Sequence, residues 1–380
     1  MSGAPRRVAL LFGGRSAEHR VSLASAASVA READPEEIEI LPVLIRTTGE
    51  WTLLRSPEDA RGVRVSLLPE PGPPALVEIP GGTIHPFDVA FPLIHGPGGE
   101  DGTLQGILEA AEIPFVGAGV AASAVGMDKD LTKVIARAAG LPVVDWATLR
   151  WGAHGGDPAA VREALEAASL RPPLFVKPAC LGSSVGITRV EDAGGLEEAV
   201  AAAFRYHHRV IVERAVVGRE IECAVLGNTT GDGAAGAAGG GGKPDKNAPV
   251  AAVPLAEIRP RGGWYDYERK YTEGATEIVI PAELTEDLAD EIRRLAIRAY
   301  EALEVDGMAR VDFLVDTSAG AAVYLNELNT IPGFTATSVY PKLWEAAGLS
   351  YPDLITRLVD LGLARRRFLE RFSAARGLDD

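Results

Sequence analysis

The chain has 380 residues, 47% of them hydrophobic and 24% charged, with a formal net charge of −15 and two cysteines. That length calls for two or three domains with sizeable cores, and the acidity argues against nucleic acid or an anionic membrane as the main partner. Cys180 and Cys223 form no CxxC pair, and the apolar run Val8–Phe12 is too short for a signal peptide or a bilayer span. A reducing, cytoplasmic compartment without a zinc site is therefore expected.

Arg7–Phe12 reads as a buried first strand, followed by Gly13-Gly14-Arg15-Ser16-Ala17-Glu18 and a helix with small and aliphatic residues at helical spacing from Val21 to Ala30. Strand, glycine turn, helix is how an α/β domain opens, and it leaves helix N-terminal amides for a ligand. No third glycine completes GxGxxG, so a dinucleotide site is not indicated. Glu18 reads equally well as a helix-dipole partner or as a ligand contact. Ile38–Ile45 is a second strand, and residues 46–86, rich in Pro, Gly and charge, carry little functional signal. Val89–Ile94 is a buried strand that runs into His95-Gly96-Pro97-Gly98-Gly99-Glu100-Asp101-Gly102-Thr103, then a helix over Leu104–Ala111. A glycine-dense loop at the end of a parallel strand sits where such sheets bind ligands, although His95 alone reads as a strand-end residue tied to backbone.

The small-residue run Gly117–Gly126 closes a first domain, and a helix from Met127 ends at Gly140-Leu141-Pro142, with Lys129 and Lys133 one turn apart on what is ordinarily a solvated face. Val161–Ala168 is a short helix. Leu174–Pro178 and Gly186–Val190 read as hairpin partners around Ala179–Val185, and a glycine–serine loop behind Lys177 fits a flap over phosphates. It is not a Walker A loop, because the lysine precedes the glycine and a strand follows. Glu191–Phe204 is a helix. The strands Val210–Glu213 and Arg219–Val225 carry Glu213 and Glu220, which read as surface residues when taken alone. Residues 227–249 are a glycine-rich insertion joining Ala224–Leu226 to Val250–Pro254. The aromatic and charged stretch Gly262–Tyr271 suits a loop that covers a site. Thr285 is placed to cap a helix with the apolar stripe Leu288, Ile292, Leu295, Ala299 and Leu303, and Tyr351–Leu369 reads as a terminal amphipathic helix.

The stretch 307–338 carries the densest chemistry. Strand period places Arg310, Asp312 and Leu314 on one face and Ala309, Val311, Phe313 and Val315 on the other. The run after the loop Thr317–Ala321 is expected to put Val323, Leu325, Glu327 and Asn329 on one face of a hairpin. Asp312, Glu327 and Asn329 then converge beside Arg310 as three oxygen ligands, which suits Mg²⁺ or Mn²⁺; a solvated strand face with an incidental Arg–Asp pair is the plain alternative. The turn Asn329-Thr330-Ile331-Pro332-Gly333 adds backbone N–H groups of the kind an oxyanion site needs.

Taken together these segments resemble the D-alanine–D-alanine ligase family of the ATP-grasp superfamily over nearly the whole length. The matching residues are Gly13-Gly14-x-Ser16-Ala17-Glu18, Leu93-Ile94-His95-Gly96 with Gly99–Thr103, Met127-Asp128-Lys129, and Lys177-Pro178 with Gly182–Gly186. Tyr265-Asp266-Tyr267 with Lys270-Tyr271, Ala309–Asp312, and Asn326-Glu327-x-Asn329-Thr330-x-Pro332-Gly333 complete the set. The resemblance implies an ATP-grasp fold of three α/β domains, at 1–126, 127–216 and 217–380 with a flexible insertion at 227–249, and ATP between the second and third. It implies that Lys129, Lys177, Gly182 and Ser184 hold phosphates, that Glu213 and Glu220 meet adenine and ribose, and that Asp312, Glu327 and Asn329 bind two Mg²⁺ (or Mn²⁺). Glu18, with Ser183 and Tyr271, is implied to hold the first of two D-alanines. Lys270, Ser338 and His95 would serve the second, and Arg310 and Gly333 the oxyanion. A homodimer is a family expectation. Arg20, Cys180 and Leu181 depart from the family pattern, with little effect expected because Glu18 is intact and the glycine loop's own amides are unaffected. The rivals are a D-alanine–D-lactate or D-serine ligase, another carboxylate–amine ligase of the superfamily, and a non-catalytic nucleotide-binding module; Tyr271 after Lys270 argues for an amine acceptor.

Overall fold

The computed structural model describes residues 4–231, 246–260, 276–318 and 320–372. It is built on three sheets. The first contains β1 (Arg6–Gly13), β2 (Ile38–Ile45), β3 (Trp51–Leu53), β4 (Val63–Leu67), β5 (Ala75–Glu78), β6 (Ile84–Pro86) and β7 (Val89–Leu93), in the order β6-β5-β4-β3-β2-β1-β7. Strand β1 is parallel to both β2 and β7, and its Val8–Phe12 run is wholly buried, as a strand covered on both faces must be. Residues 46–86, which carried no functional signal, form β3 to β6, an antiparallel meander that extends this sheet away from the parallel strand ends. Helix α1 (His19–Glu32) follows β1, and α2 (Thr103–Ala110) follows the glycine loop after β7.

Helices α3 (Val120–Met127) and α4 (Lys129–Ala138) come next, with Asp128 capping α4 by accepting the N–H groups of Asp130 and Leu131. The second sheet has β8 (Trp146–Arg150), β9 (Leu174–Pro178), β10 (Thr188–Val190) and β11 (Arg209–Arg214), in the order β10-β9-β11-β8. Helices α5 (Trp151–His154), α6 (Pro158–Ala167) and α7 (Leu196–Phe204) belong to the same segment. Strand alternation decides which face does what. Leu174, Val176, Val210 and Val212 pack under α6 and α7, whereas Phe175, Lys177 and Glu213 point the other way.

The third sheet is six-stranded: β12 (Gly218–Asn228), β13 (Val250–Ala251), β14 (Ala256–Pro260), β15 (Thr276–Val279), β16 (Asp306–Asp316) and β17 (Ala322–Asn329). As expected from the sequence, Val225 and Leu226 pair with Ala251 and Val250 across the insertion, whose residues 232–245 lie outside the described ones. Helix α8 (Glu286–Ala302) buries Ile292, Leu295 and Ala299 against this sheet; Thr285 occupies its N-cap position, although its side chain makes no cap bond. Helices α9 (Val339–Ala346) and α10 (Tyr351–Glu370) share a core with β1, β7, β12 and β16, so the first and third sheets are packed through common helices.

The hairpin β16–β17 needs one correction. Val323 and Leu325 do not share a face with Glu327 and Asn329. They lie in the core with Phe313 and Val315, while Glu327 and Asn329 lie across from Asp312 and Arg310 on the other side. The register shifts between Asp312 and Phe313, leaving Asn326 without a partner, and a one-residue bulge inverts the alternation beyond it. The bulge lets one strand carry a core face in its first half and a site face in its second.

Candidate active site

A cavity of about 480 Å³ lies between the three sheets. Glu18 occupies the N-cap position of α1 and accepts a hydrogen bond from the Ser183 hydroxyl of the glycine loop. Gly96 turns beneath it with φ +76, and a Cβ there would stand 2.4 Å from Glu18 Oε2, so only glycine fits. His95 is buried and tied on both sides. Its Nδ1 is 3.0 Å from the Ile331 carbonyl, which can only accept, so Nδ1 carries the proton and Nε2 accepts from Ser25 Oγ at 3.0 Å. Ser25 Oγ in turn takes the Phe334 N–H. Burial holds the imidazole below its ordinary pKa, against the opposing pull of Glu18 and the Ile331 carbonyl. Glu100 accepts N–H groups from Gly96 at 2.6 Å and Ile331 at 3.2 Å, and burial together with Glu18 pushes its carboxyl up to about 8.

The turn 331–333 is thus held from the first sheet by His95, Ser25 and Glu100. Phe334, fully buried, anchors its far end among Phe91, Tyr340 and Tyr351, at centroid distances of 6.0, 5.8 and 5.7 Å. Ser338 Oγ accepts the Thr335 N–H at 3.0 Å and sits so near Gly333 that a Cβ on that residue would be 2.9 Å away. On the sheet floor the Arg310 guanidinium grips Asp312 with both arms, at 2.7 and 2.6 Å, and lies 3.2 Å from Glu222. Against the cost of burial, Asp312 and Glu222 hold this arginine well above its ordinary pKa. Asn329 Nδ2 donates to Asp312 at 3.1 Å. Glu220, Glu222 and Asp312 bring carboxylate oxygens within 4.8 Å of one another, and Glu327 reaches toward Lys129 Nζ at 3.7 Å. Lys129 also donates to the Leu181 carbonyl at 2.6 Å, at the base of the glycine loop.

A second cavity, about 380 Å³, lies between the second and third sheets. Phe175, Ile187, Val216, Ile258 and Leu314 give it apolar walls, and Lys129, Lys177, Ser184, Glu213 and Glu220 give it polar ends. Burial alone would raise the Glu213 pKa. Lys133 and Lys177, at 3.0 and 2.5 Å from its two oxygens, bring it down to about 2 instead. Ser183 and Ser184 both have positive φ, 52° and 58°, a conformation costing on the order of 1–3 kcal/mol per residue and concentrated at functional sites. The two cavities share Glu327 and Ile258.

The sequence-predicted residues Glu18, His95, Gly182, Ser183, Arg310, Glu327, Asn329, Gly333 and Ser338 line the first cavity, and Lys129, Lys177, Ser184, Glu213, Glu220 and Glu327 line the second. Asp312 lies beneath both, fully buried. Lys270 and Tyr271, with the rest of their aromatic loop, lie outside the described residues. Sequence reasoning passed over Glu100, Glu222, Lys133 and Phe334. Glu222 had a signal, since it stands two residues after Glu220 and therefore on the same strand face. Lys133 had none, because a lysine in a helix reads as solvated until its surroundings are known.

The chain's relatives are consistent with this arrangement. A family described as "D-ala D-ala ligase N-terminus" matches residues 7–118, and one described as "D-ala D-ala ligase C-terminus" matches 135–238 and 244–360. A D-alanine–D-alanine ligase from Methylobacterium sp. is 46% identical over 374 residues, covering 95% of this chain and 92% of that protein. One from Nocardia farcinica is 43% identical over 379 residues, covering 94% and 97%. Among solved structures, the D-alanine–D-alanine ligase of Coxiella burnetii superposes with a TM-score of 0.80 at 33% identity, covering 98% of each chain. The VanG D-Ala:D-Ser ligase of Enterococcus faecalis gives 0.79 at 34% identity, covering 94% of this chain and 99% of that one. The chain therefore has the ATP-grasp fold and belongs to the D-alanine–D-alanine ligase family.

Proposed function

We propose that the chain joins two D-alanines at the expense of ATP, with the nucleotide in the second cavity and both amino acids in the first. The observation that carries this reading is the shared wall at Glu327, which lets a phosphate chain entering from one side meet a carboxylate entering from the other. A carboxylate oxygen of the first D-alanine attacks the γ-phosphorus of ATP, ADP leaves, and D-alanyl phosphate forms. The amine of the second D-alanine, once deprotonated, attacks the acyl carbon, and phosphate departs with the former carboxylate oxygen. The products are dipeptide, ADP and phosphate, and the dipeptide serves peptidoglycan synthesis.

The residue roles follow from charge. Glu18, fixed by Ser183, offers the carboxylate for the first ammonium, and Tyr271 belongs to this group. Lys129, Lys177 and the Gly182–Ser184 backbone face the phosphates, whose repulsion toward the incoming carboxylate they offset. Glu213 and Glu220 face the base and ribose. Arg310 and the Gly333 N–H serve the tetrahedral oxyanion, Ser338 and His95 border the acceptor, and Lys270 is assigned to it by the family resemblance alone. His95 contributes position rather than proton transfer, because both ring nitrogens are committed to Ser25 and Ile331. Asp312, Glu327 and Asn329 supply oxygen donors only and fit two Mg²⁺ (or Mn²⁺), which would offset phosphate charge.

Domain limits at 126/127 and 216/217, a homodimer and a cytoplasmic location complete the reading, with no nucleic acid or membrane as partner; none of the helices among the described residues is long and apolar enough to cross a bilayer. The test is ADP release measured across D- and L-amino acids and D-hydroxy acids. D-alanine should support turnover alone, and D-lactate should compete poorly at neutral pH. Preference for D-lactate or D-serine as acceptor would overturn the assignment.

A further inference from the structure

Lys133 lines neither cavity, yet its side chain is 1% exposed and its ammonium stands 3.0 Å from Glu213 Oε1. It is on α4, with the Trp146 ring centroid 5.8 Å from its ammonium. Lys177, on β9, holds the other oxygen at 2.5 Å and does line the cavity. One buried carboxylate therefore has two cations, one more than its charge needs. The two are not equivalent. Lys177 can leave Glu213 for a ligand in the cavity, and Lys133 cannot. Lys133 pairs with Oε1, which is itself buried, and Lys177 pairs with Oε2, so Oε2 is the oxygen freed to accept from a donor when Lys177 turns to a ligand.

We propose that Lys133 is a positioning residue that keeps Glu213 ionised and aimed as the acceptor for the exocyclic amino group of adenine, and so releases Lys177 to the phosphates. The inference rests on reading the second cavity as the nucleotide site. Adenine presents an N–H donor at its six-position, whereas hypoxanthine and guanine present a carbonyl there, which a buried carboxylate repels. Without Lys133, a Lys177 that moved to the phosphates would strand Glu213 uncompensated. It would stay on Glu213 instead, so both the base contact and the phosphate contact would weaken together.

The test uses steady-state turnover with ATP and with ITP at saturating D-alanine for four proteins: wild type, Lys133→Met, Glu213→Gln, and the double variant. For Lys133→Met the KM for ATP should rise ~10-fold or more, with kcat changed far less, and the ATP/ITP ratio of kcat/KM should fall by ~10-fold. In the double variant a neutral amide needs no cation, so the KM for ATP should return toward that of Glu213→Gln alone, an outcome a purely structural lysine would not give. Should Lys133→Met keep the wild-type KM and ATP/ITP ratio while Glu213→Gln loses discrimination, the role given to Lys133 is overturned and the nucleotide placement stands. A double variant no better than Lys133→Met overturns it as well. If Glu213→Gln also keeps the ratio, the base does not lie against Glu213, and the placement itself fails.

Discussion

The two cavities solve opposite physical problems. The first gathers charge from distant parts of the chain: Glu18, His95 and Glu100 from the turns of one sheet, Ser183 from a loop of the second, and Arg310, Asn329 and Ser338 from the third. Its carboxylates outnumber its cations, so Arg310 must serve Asp312 and Glu222 together, and Glu100 is pushed up to about 8 by burial and then by Glu18. The second cavity is a slot between two sheets with apolar walls and polar ends, and one of its carboxylates, Glu213, is balanced by Lys177 in the slot and Lys133 outside it. The first is organised by hydrogen bonds that cross domains, and the second by strand alternation within them. Disturbing the first should therefore alter chemistry and D-alanine use, and disturbing the second should alter nucleotide use alone.

Arg310→Met should have the largest effect. Its removal from the proposed role of oxyanion donor costs ~10²–10³-fold in kcat, and leaving Asp312 and Glu222 buried without their cation costs about 3–5 kcal/mol of stability. Adding Glu222→Gln should recover part of the stability in denaturant melts but none of the rate. Equal recovery of both would make Arg310 a structural residue only. Lys177→Met comes next. Loss of a charged phosphate contact worth about 1.5–3 kcal/mol should raise the KM for ATP ~10–100-fold while the KM for D-alanine stays put. If both constants moved together, the separation of the cavities would be broken. Gly96→Ala is expected to do the reverse. A left-handed conformation costs about 1–2 kcal/mol for alanine, and its Cβ, 2.4 Å from Glu18 Oε2, must push that carboxylate off Ser183. The KM for D-alanine should rise ~10-fold with that for ATP unchanged.

The same contrast explains what could be read without coordinates. The slot's residues follow period-2 rules, Lys177 facing out because Val176 faces in and Glu220 likewise from Ile221, yet Glu213 and Glu220 taken alone read as surface residues and only the family resemblance implied a role for them. The hairpin was legible at Arg310, Asp312, Glu327 and Asn329 but not at Val323 and Leu325, whose face is reversed by a bulge at Asn326 that no residue type announces. The grip of Ser25, His95 and Glu100 on Ile331 and Phe334 was not legible. It joins residues 231 to 309 positions apart, and nothing local in a serine or a glutamate points that far. Lys133 was misplaced for the opposite reason, since its local pattern pointed firmly, and wrongly, to solvent.

Glu100 should show the smallest effect on turnover and the most specific one on stability. Its folded pKa, about 8, lies above the ordinary carboxylate value of 4.5 because burial and Glu18 both oppose its charge. With a raised carboxyl pKa the group's contribution is fully present below pH 4.5, where folded and unfolded states are both protonated, and it is lost as pH rises through 8. Between those limits the folded protein holds a proton that the unfolded chain has released, so wild-type stability should decline with pH by at most about 1.4 kcal/mol per unit from this group. Glu100→Gln removes the titration, and denaturant melts at several pH values between 5 and 8 should show the variant gaining on wild type as pH rises. Parallel curves would mean that Glu100 stays ionised throughout, with the Gly96 and Ile331 amides and Arg310 outweighing burial. The first cavity would then tolerate two carboxylates side by side, and its contrast with the lysine-balanced slot would narrow.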